Sequence, residues 1–248
     1  MGTFFGKIFE HKHLLDFSVL NADMHSHLIP NIDDGSNSLQ ETRNMISGLQ
    51  DMGFKKFITT PHIMPEVFKN TTEIIENACV KLNEEIAAEG EQQVIAAAEY
   101  YIDEQFANRV RNEERFLTFG ENYILIEVNM MAKEKRLEEV LFELNLRGYI
   151  PVLAHVERYP YMYEGNSLNY YSGLMDADVL LQVNLRSFTG QYGEIQKKIA
   201  RQLAEHNMIN FLGTDIHHEN QLPVIHQSLK DPYVQKLLAN NTLMNKQL

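Results

Sequence analysis

The sequence has one cysteine, fewer basic than acidic residues and no long apolar run, and each shortage excludes a class of protein. The single cysteine, Cys79, excludes an internal disulfide framework and a zinc module built from several cysteines. With 22 basic and 34 acidic residues the net charge is −12, which argues against a sequence-independent grip on nucleic acid. No run approaches the roughly 20 apolar residues of a membrane span. We therefore expect a cytoplasmic protein without a transmembrane segment.

Length and apolar content predict a single α/β domain. The chain has 248 residues, 44% of them hydrophobic, and α/β barrels of this length usually fold as one domain. The segment Phe4-Phe5-Gly6-Lys7-Ile8-Phe9 is too short and too interrupted by charge for a signal peptide. It suits a short amphipathic helix that covers a barrel end or contacts a partner. We predict an N-terminal extension over residues 1–20 and one domain over residues 21–248.

Short apolar runs alternate with helix-like stretches along the chain. The predicted strands cover residues 19–24, 56–60, 93–98, 123–128, 150–154, 179–183 and 209–213. Between the first two, Ser38 begins a capping box and Gly53 stops the helix. Two further apolar stripes at helical spacing, residues 74–86 and 137–144, end before Gly90 and Gly148. Strands that alternate with helices of this length indicate βαβ units and a parallel sheet.

Polar side chains recur at the ends of these runs and favour one parallel architecture over another. The residues at or just beyond a run are His25, His27, His62, Glu99, Glu127, His155, Asp215 and His217. An open doubly wound sheet gathers its ligands at one switch point, whereas a closed ring brings many strand ends to a shared centre. We therefore predict an irregular TIM-like (β/α)7 barrel with these side chains at one mouth.

The strongest local signal is His25-x-His27. Residues two apart on a strand point to the same side, so both imidazoles can bind one ion. Asp33-Asp34-Gly35 follows, and a turn there can bring either carboxylate over the same mouth. Glu99 and Glu127 close otherwise apolar runs, where a buried charge needs a partner. The alternative partner to a metal is an arginine in a salt bridge.

The donors are all imidazole and carboxylate, a set that suits manganese, iron or zinc. Closely spaced divalent ions lower the pKa of a shared water and clamp the attacking and leaving oxygens of a phosphoester. Arg158, three residues after His155, offers the planar paired donors that suit a phosphate. Its alternative role is a surface ion pair with Glu157 or Glu164. These features predict a hydrolytic centre with two or three ions.

Other residues near the pattern have weaker signals. His218 directly follows His217 and should point elsewhere. Tyr159, Tyr161 and Tyr163 either pack against a substrate ring or are exposed loop aromatics. Asn184 and Arg186 end the sixth predicted strand at the mouth, without an assigned role. His11, His13, His206 and His226 are expected at the surface, and Cys79 is expected to be a small buried side chain on a helix.

The pattern resembles the polymerase and histidinol phosphatase (PHP) superfamily. Within it, the chain is most similar to the metal-dependent protein-tyrosine phosphatases of bacterial capsular and exopolysaccharide loci. The motifs that carry the resemblance are His25-Ser26-His27, Asp33-Asp34-Gly35, Thr60-Pro61-His62, Ala98-Glu99-Tyr100-Tyr101, Glu127, His155-Val156-Glu157-Arg158-Tyr159 and Asp215-Ile216-His217. They occur in order and span residues 21 to about 220. The residues before position 21 lie outside the resemblance.

The resemblance implies three metal sites with a shared carboxylate. One ion is held by His25, His27, Glu99 and Asp215, a second by Glu99, Glu127 and His155, and a third by Asp34, His62 and His217. Asp33 is the alternative to Asp34 as a ligand of the third ion. Asp34 is chosen because it directly precedes Gly35. Arg158 matches the arginine that holds the substrate phosphate, and it is expected to act in catalysis with His155 and Asp215. One departure is that residues 219–223 contain no arginine, which some relatives have after the last histidine.

The expected enzyme is a phosphoric monoester hydrolase acting on phosphotyrosine, with manganese as its expected metal. Its implied partner is the tyrosine-rich tail of an autophosphorylating bacterial kinase, and the sequence is compatible with an oligomer. A Cys-x5-Arg mechanism is excluded because Glu85 stands six places after Cys79. Direct hydrolysis without a phosphoenzyme is therefore expected. The alternatives are a histidinol-phosphate phosphatase, a catalytically silent metal-binding partner of a kinase, and a polymerase-associated nuclease, which the acidic charge disfavours.

Overall fold

The structure is a computed structural model, and it describes residues 14–87, 93–240 and 242–248. The predicted amphipathic helix at Phe4–Phe9, His11, His13 and the helix stop at Gly90 lie outside the described residues. The described chain is an α/β fold with parallel sheets, as the sequence predicts. Among the described residues, none of the helices combines the length and apolarity needed to span a membrane.

Strands and helices alternate along the described ranges. The strands are β1 (Ala22–Asp23), β2 (Lys56–Thr59), β3 (His62–Ile63), β4 (Val94–Ala96), β5 (Glu99–Tyr101), β6 (Tyr123–Glu127), β7 (Ile150–Leu153), β8 (Leu180–Asn184) and β9 (Phe211–Gly213). The helices are α1 (Leu39–Asp51), α2 (Thr72–Ala87), α3 (Glu104–Arg111), α4 (Leu137–Leu146), α5 (Asn169–Asp176), α6 (Glu194–Glu205), α7 (Leu222–Ser228) and α8 (Pro232–Asn240). Each predicted strand overlaps one of these strands, although residue 19 belongs to a 3-10 turn (Phe17–Val19) instead.

The strands pair in two parallel sheets, ordered β1-β2-β4 and β3-β5-β6-β7-β8-β9. Two predicted strands are each followed by a short strand that was not predicted, because Pro61 separates β2 from β3 and two alanines separate β4 from β5. Proline lacks the N–H that a central strand donates. The pairing nevertheless continues across both gaps, since Ala97 N–H donates to Thr59 O at 2.8 Å and Glu99 N–H to Pro61 O at 3.1 Å.

The sheets curl so that the first and last strands approach each other beyond their C-terminal ends. His27 N–H donates to Ile216 O at 2.9 Å, and Asp215 N–H donates to His25 O at 2.8 Å. Ser26 and Ile216 form a parallel bridge between the same two segments. The curl therefore brings residues about 190 positions apart in sequence to one end of the sheets.

The helices cover the outer face of the sheets with apolar stripes. Ser38 caps α1 as predicted, because its hydroxyl accepts the Glu41 N–H at 3.1 Å. In α2 the buried face contains Cys79, as expected, together with Ile75, Leu82 and Ile86. Ile74, which the predicted stripe placed in the core, is 45% exposed because the true stripe starts one residue later.

A second, smaller apolar cluster fills the inside of the curl. It contains Ala22, Met24, Ile58, Ala97, Leu125, Val152, Ala154 and Phe211, all buried. Each of these strand residues points away from the helices, as the two-residue period of a strand requires. This packed interior forms the floor beneath the polar side chains at the strand ends.

Candidate metal centre

The nine residues predicted as ligands come together at the C-terminal ends of the strands. Each group of donor atoms lies within 4.8 Å, and the groups are His27–Asp34–His62–His217, His25–Glu99–His155, His25–His27–Asp215 and His62–Glu99–Glu127. Most of these side chains are buried, and Asp34 is the most exposed of them. Imidazole and carboxylate groups concentrated in this way are suited to binding divalent cations.

Glu99 lies at the middle of the cluster. Its Oε2 is 3.1 Å from His25 Nε2, and its Oε1 is 3.0 Å from His155 Nε2. On the other side, His62 Nδ1 is 3.3 Å from Glu99 Oε2 and 3.0 Å from Glu127 Oε1. One carboxylate therefore reaches three imidazoles with its two oxygens. The proximity of Glu99 to His25 and His155 matches the ligand sets implied by the family resemblance, whereas His62, which those sets assign to another ion, also lies close to Glu99 and Glu127.

Two of the predicted ligands have left-handed backbone conformations. His155 has φ 33° and ψ 52°, and Asp215 has φ 49°. Non-glycine residues in this region cost free energy and persist where the surrounding structure holds them, often at functional sites. His155 lies two positions after the end of β7, and Asp215 lies two positions after the end of β9. The backbone turns at both positions and directs the side chains into the cluster.

Neighbouring polar groups orient the imidazoles. Asp33 Oδ2 lies 2.7 Å from His27 Nδ1, Gln182 Oε1 lies 3.1 Å from His25 Nδ1, and the Asp215 carbonyl lies 3.0 Å from His217 Nδ1. A proton on Nδ1 leaves the Nε2 lone pair for an ion. Gly35 makes the contact between Asp33 and His27 possible. A Cβ at position 35 would collide with His27, so only glycine allows the loop to lie this close.

The loop therefore gives Asp33 and Asp34 different positions. Asp33 supports His27, whereas Asp34 Oδ1 lies 3.5 Å from both His62 Nε2 and His217 Nε2. Asp34 is the member of the pair that joins a donor group. The geometry supports Asp34 over Asp33 as the ligand candidate.

The cluster fits metal ions in a second respect. His27 Nε2, His62 Nδ1, Glu127 Oε1 and His155 Nδ1 are buried side-chain atoms without a hydrogen bond among the described residues. Buried polar atoms are normally satisfied, and an ion is one of the partners that explains an exception. These four atoms are concentrated in one cluster of potential ligands, so the residues present fit bound divalent ions.

Burial and mutual charge set the protonation of the cluster. Burial alone raises the pKa of the Glu99 carboxyl, but the imidazoles of His25 and His62 hold it well below its usual value. For His25 burial lowers the pKa, yet Glu99 and Asp215 raise it overall to about 9. For His62 the same balance, with Glu99 and Glu127, raises the pKa to about 10. Burial and the neighbouring His217 lower the pKa of His27 to about 4, which keeps that imidazole neutral.

A cavity of about 500 Å3 opens above the cluster. One part of its rim is cationic, with Arg158 and Arg186, and another is apolar, with Met64, Phe68 and Met130. Arg158 Nη1 lies 3.4 Å from Asp215 Oδ2, so its predicted alternative pairing with Glu157 or Glu164 is wrong. The Arg158 guanidinium, held by Asp215, thus stands at the edge of the donor cluster, where it can bind and orient an anionic substrate.

The three tyrosines after Arg158 do not contribute to the cavity. Tyr159 and Tyr163 are buried in the core, and the Tyr161 hydroxyl donates to Asn129 O at 2.9 Å. Tyr159 is held inside because its oxygen accepts the Val128 N–H at 3.3 Å. None of the three lines the cavity, and the exposed-loop alternative is wrong for Tyr159 and Tyr163, whereas Tyr161 is half-buried. Tyr192 is the tyrosine of the cavity rim.

The outlying histidines behave largely as expected. His206 and His226 are exposed. His218 lies at the cavity rim but belongs to none of the donor groups, and its Nδ1 is 3.1 Å from Glu41 Oε1. The prediction that it points away from the ions agrees with this contact.

Two supporting residues, Gln182 and Tyr192, were not predicted, and Asn184 was expected at the mouth without a role. Gln182 connects two predicted ligands, since its Oε1 also accepts the His155 N–H at 2.8 Å. Asn184 Nδ2 donates to Asp215 Oδ2 at 2.7 Å, and the Tyr192 hydroxyl lies 3.3 Å from the same oxygen. Gln182 and Asn184 are two apart in an otherwise apolar strand, a signal that both face the interior.

Comparisons with known proteins agree with this geometry. The family model described as "Capsular polysaccharide synthesis, CpsB/CapC" matches residues 21–245. The tyrosine-protein phosphatase YwqE of Bacillus subtilis is 29% identical over 196 residues, covering 79% of this chain and 76% of YwqE. The tyrosine-protein phosphatase CpsB of Streptococcus pneumoniae is 25% identical over 220 residues, covering 86% and 90%.

Solved structures extend the similarity to the fold. A chain from the crystal structures of YwqE and CpsB, described as "unique metal-dependent tyrosine phosphatases", matches with a TM-score of 0.74 and 25% identity. The match covers 91% of this chain and 94% of the other. The sequence match spans the donor groups from end to end, and the chain therefore belongs to the CpsB/CapC family of capsular polysaccharide synthesis.

Proposed function

We propose that the chain is a metal-dependent protein-tyrosine phosphatase that dephosphorylates a bacterial tyrosine kinase and thereby regulates capsular or exopolysaccharide synthesis. The observation that carries this proposal is the convergence of nine imidazole and carboxylate residues beside Arg158 at one cavity. The relatives YwqE and CpsB, whose names state a tyrosine-protein phosphatase, support it.

The proposed ligands are the nine residues of the donor groups. We assign His25, His27, Glu99 and Asp215 to one ion, Glu99, Glu127 and His155 to a second, and Asp34, His62 and His217 to a third. His62 presents Nε2 to Asp34 and Nδ1 to Glu127, and a neutral imidazole has one lone pair, so it serves one ion at a time. Donors without sulfur favour manganese, with iron and zinc as alternatives.

Bound divalent ions supply an activated water molecule and neutralise phosphoryl charge. The chain's own residues do the remaining work. Arg158 binds the phosphoryl oxygens, Asp215 fixes the Arg158 guanidinium at 3.4 Å, and His155 and Glu99 hold each other at 3.0 Å. The apolar rim formed by Met64, Phe68 and Met130 suits an aryl group rather than a charged one.

The chemistry of a phosphotyrosine ester suits this site. A phenol has a pKa of about 10, so its phenolate leaves with less acid assistance than an alkoxide. A cysteine nucleophile does not compete, because Cys79 is buried on α2 and burial raises the pKa of its thiol to about 11. Direct hydrolysis without a covalent phosphoenzyme follows from both points.

The proposal also includes the type of barrel and the cellular location. We assign residues 21–248 to one irregular TIM-like (β/α)7 barrel of the PHP type, which the hydrogen bonds between the first and last strand runs support. The proposed location is the cytoplasm, where the tail of a kinase is accessible. Among the described residues, the absence of a membrane-spanning helix agrees with that location.

The test is turnover of a phosphotyrosine peptide and of histidinol phosphate by the same preparation, before chelation, after chelation and after manganese is restored. We expect hydrolysis of the peptide that chelation abolishes and manganese restores. If the chain cleaved histidinol phosphate alone, it would be a histidinol-phosphate phosphatase and the assignment to phosphotyrosine would be wrong. A chain that binds manganese fully and cleaves neither substrate would instead be a silent metal-binding regulator.

A further inference from the structure

A second guanidinium, that of Arg186, borders the same cavity as Arg158. Arg186 follows β8 in a 3-10 turn (Leu185–Thr189), and only 4% of its surface is exposed. A buried cation needs acceptors, because an unpaired charge in the interior is costly. Arg186 also lines the cavity, so acceptors for its guanidinium can come from the protein or from a bound molecule.

The protein satisfies only part of this guanidinium. Nε donates to Thr214 O at 3.3 Å, and Nη2 donates to the backbone carbonyl and, at 3.5 Å, to the Oδ2 of Asp215. Within the described ranges no protein acceptor is bonded to Nη1. Because Nη1 is not one of the buried atoms without a partner, it is not fully enclosed by protein. One donor edge of Arg186 is therefore available to a molecule in the cavity.

Two guanidinium groups share one carboxylate oxygen on this side of the cavity. Asp215 Oδ2 is shared, at 3.4 Å from Arg158 and 3.5 Å from Arg186, so two guanidinium groups face one carboxylate oxygen. The neighbouring Glu157 accepts from Ser187 Oγ at 2.5 Å and from Asn184 N at 3.0 Å instead. Glu157 is a second carboxylate close enough to act on the Arg158 charge, so this side of the cavity offers an anion directed guanidinium donors rather than a net positive charge.

Tyr192 lies beside both cations. The Arg158 guanidinium lies 4.5 Å from the centre of the Tyr192 ring, and the Arg186 guanidinium lies 5.1 Å from it. Both distances are those of cation–π contacts. The ring therefore contacts both guanidinium groups, and the Tyr192 hydroxyl donates to the Oδ2 of Asp215 that they share, at 3.3 Å.

We propose that Arg186 is a second phosphoryl-binding residue, which acts with Arg158 to hold two different oxygens of a phosphoryl group above the donor cluster. The proposal rests on the proposed phosphatase function. Planar guanidinium donors match the geometry of phosphoryl oxygens, and residues 219–223 supply no arginine to this rim. Arg186 would thus come from the turn after β8 rather than from the segment after the last ligand.

The test uses the manganese-loaded full chain and two substitutions, Arg186→Gln and Arg186→Lys. Binding of phenylphosphonate, a non-hydrolysable aryl phosphate analogue, is measured by titration calorimetry, and KM and kcat are measured with a phosphotyrosine peptide. Metal content and circular dichroism of each variant are recorded. Arg115→Gln is the control, because Arg115 is 73% exposed and pairs with Glu76.

We expect Arg186→Gln to weaken phenylphosphonate binding and raise KM, each by about tenfold to a hundredfold, the loss of one charged hydrogen bond. Arg186→Lys keeps the charge but loses the fork, so its affinity should lie between those of the native chain and Arg186→Gln. Metal content should not change, and Arg115→Gln should behave as the native chain.

Unchanged phenylphosphonate affinity in Arg186→Gln would overturn the proposal. If kcat and metal content fell at the same time, Arg186 would be only a support for the Asp215 turn. Failure of the native chain to hydrolyse any phosphate ester would instead refute the proposed function. The binding measurement separates these two failures because it does not depend on turnover.

Discussion

The substitution Asp33→Asn removes the charge that orients His27 and keeps the size of the side chain. Asp33 Oδ2 lies 2.7 Å from His27 Nδ1 and accepts the His62 N–H at 3.1 Å, while Oδ1 accepts the Gly35 N–H at 2.9 Å. All three neighbours are donors, so the NH2 of an asparagine must face at least one of them. Burial raises the pKa of Asp33, but His27 more than offsets this and keeps the carboxyl ionised.

The expected magnitude follows from the role of Asp33 as a support for a ligand. Loss of such a support costs about tenfold to a hundredfold in metal affinity, or about 1.4 to 2.8 kcal/mol. Asp34→Asn should act differently, because Asp34 lies 3.5 Å from two imidazoles of one donor group and is proposed as a direct ligand. It should lower the number of bound ions by one, with little effect on the others.

The assay is the number of manganese ions per chain, measured by mass spectrometry after equilibrium dialysis over a series of free-ion concentrations. Circular dichroism checks the fold of each variant. Asp51→Asn is the matched control, since Asp51 is exposed at the end of α1. Native affinity in Asp33→Asn would refute the supporting role, and a full ion count in Asp34→Asn would refute its assignment as a ligand.

Three further predictions concern catalysis, protons and stability. His155→Ala should abolish turnover and leave circular dichroism unchanged, because His155 reaches Glu99 at 3.0 Å; near-normal activity would rule out the proposed second ion. In the metal-free chain the pKa values of about 9 for His25 and about 10 for His62 keep both imidazoles protonated at neutral pH. Manganese binding near pH 7.5 should therefore release about two protons and weaken as the pH falls; calorimetry in buffers of different ionisation enthalpy measures this, and equal heats would contradict it. Ser38→Ala should lower the free energy of unfolding by about 1 kcal/mol through loss of the α1 cap, with unchanged turnover; unaltered urea denaturation would show that the cap contributes nothing.

Much of the candidate site was predictable because its residues share one sequence signal. A polar residue at the end of an apolar run is rare unless something holds it, and parallel strands bring such ends together. His25, Glu99 and Asp215 were identified in this way, and the structure gathers them with the other six predicted residues. The choice between Asp33 and Asp34 was open, because it depends on how the backbone turns at Gly35.

The parts that were not predictable depend on contacts between distant residues. Tyr159 follows Arg158 directly, yet it is buried because its oxygen meets the Val128 N–H, 31 positions away. Tyr192 reaches the cavity because its hydroxyl lies against Asp215, 23 positions away, and Arg186, which was expected at the mouth, has a role only through its contacts with Asp215. Local patterns do not encode such neighbours, so the sequence predicted the ligand candidates better than the residues that surround them.

The most direct test of the metal centre is an anomalous difference map from crystals grown with manganese. We expect two or three peaks at bonding distance, about 2 Å, from nitrogen and oxygen atoms of the donor groups, with Glu99 between at least two of the peaks. Peaks confined to surface carboxylates, and none beside Glu99, His155 or Asp215, would contradict it.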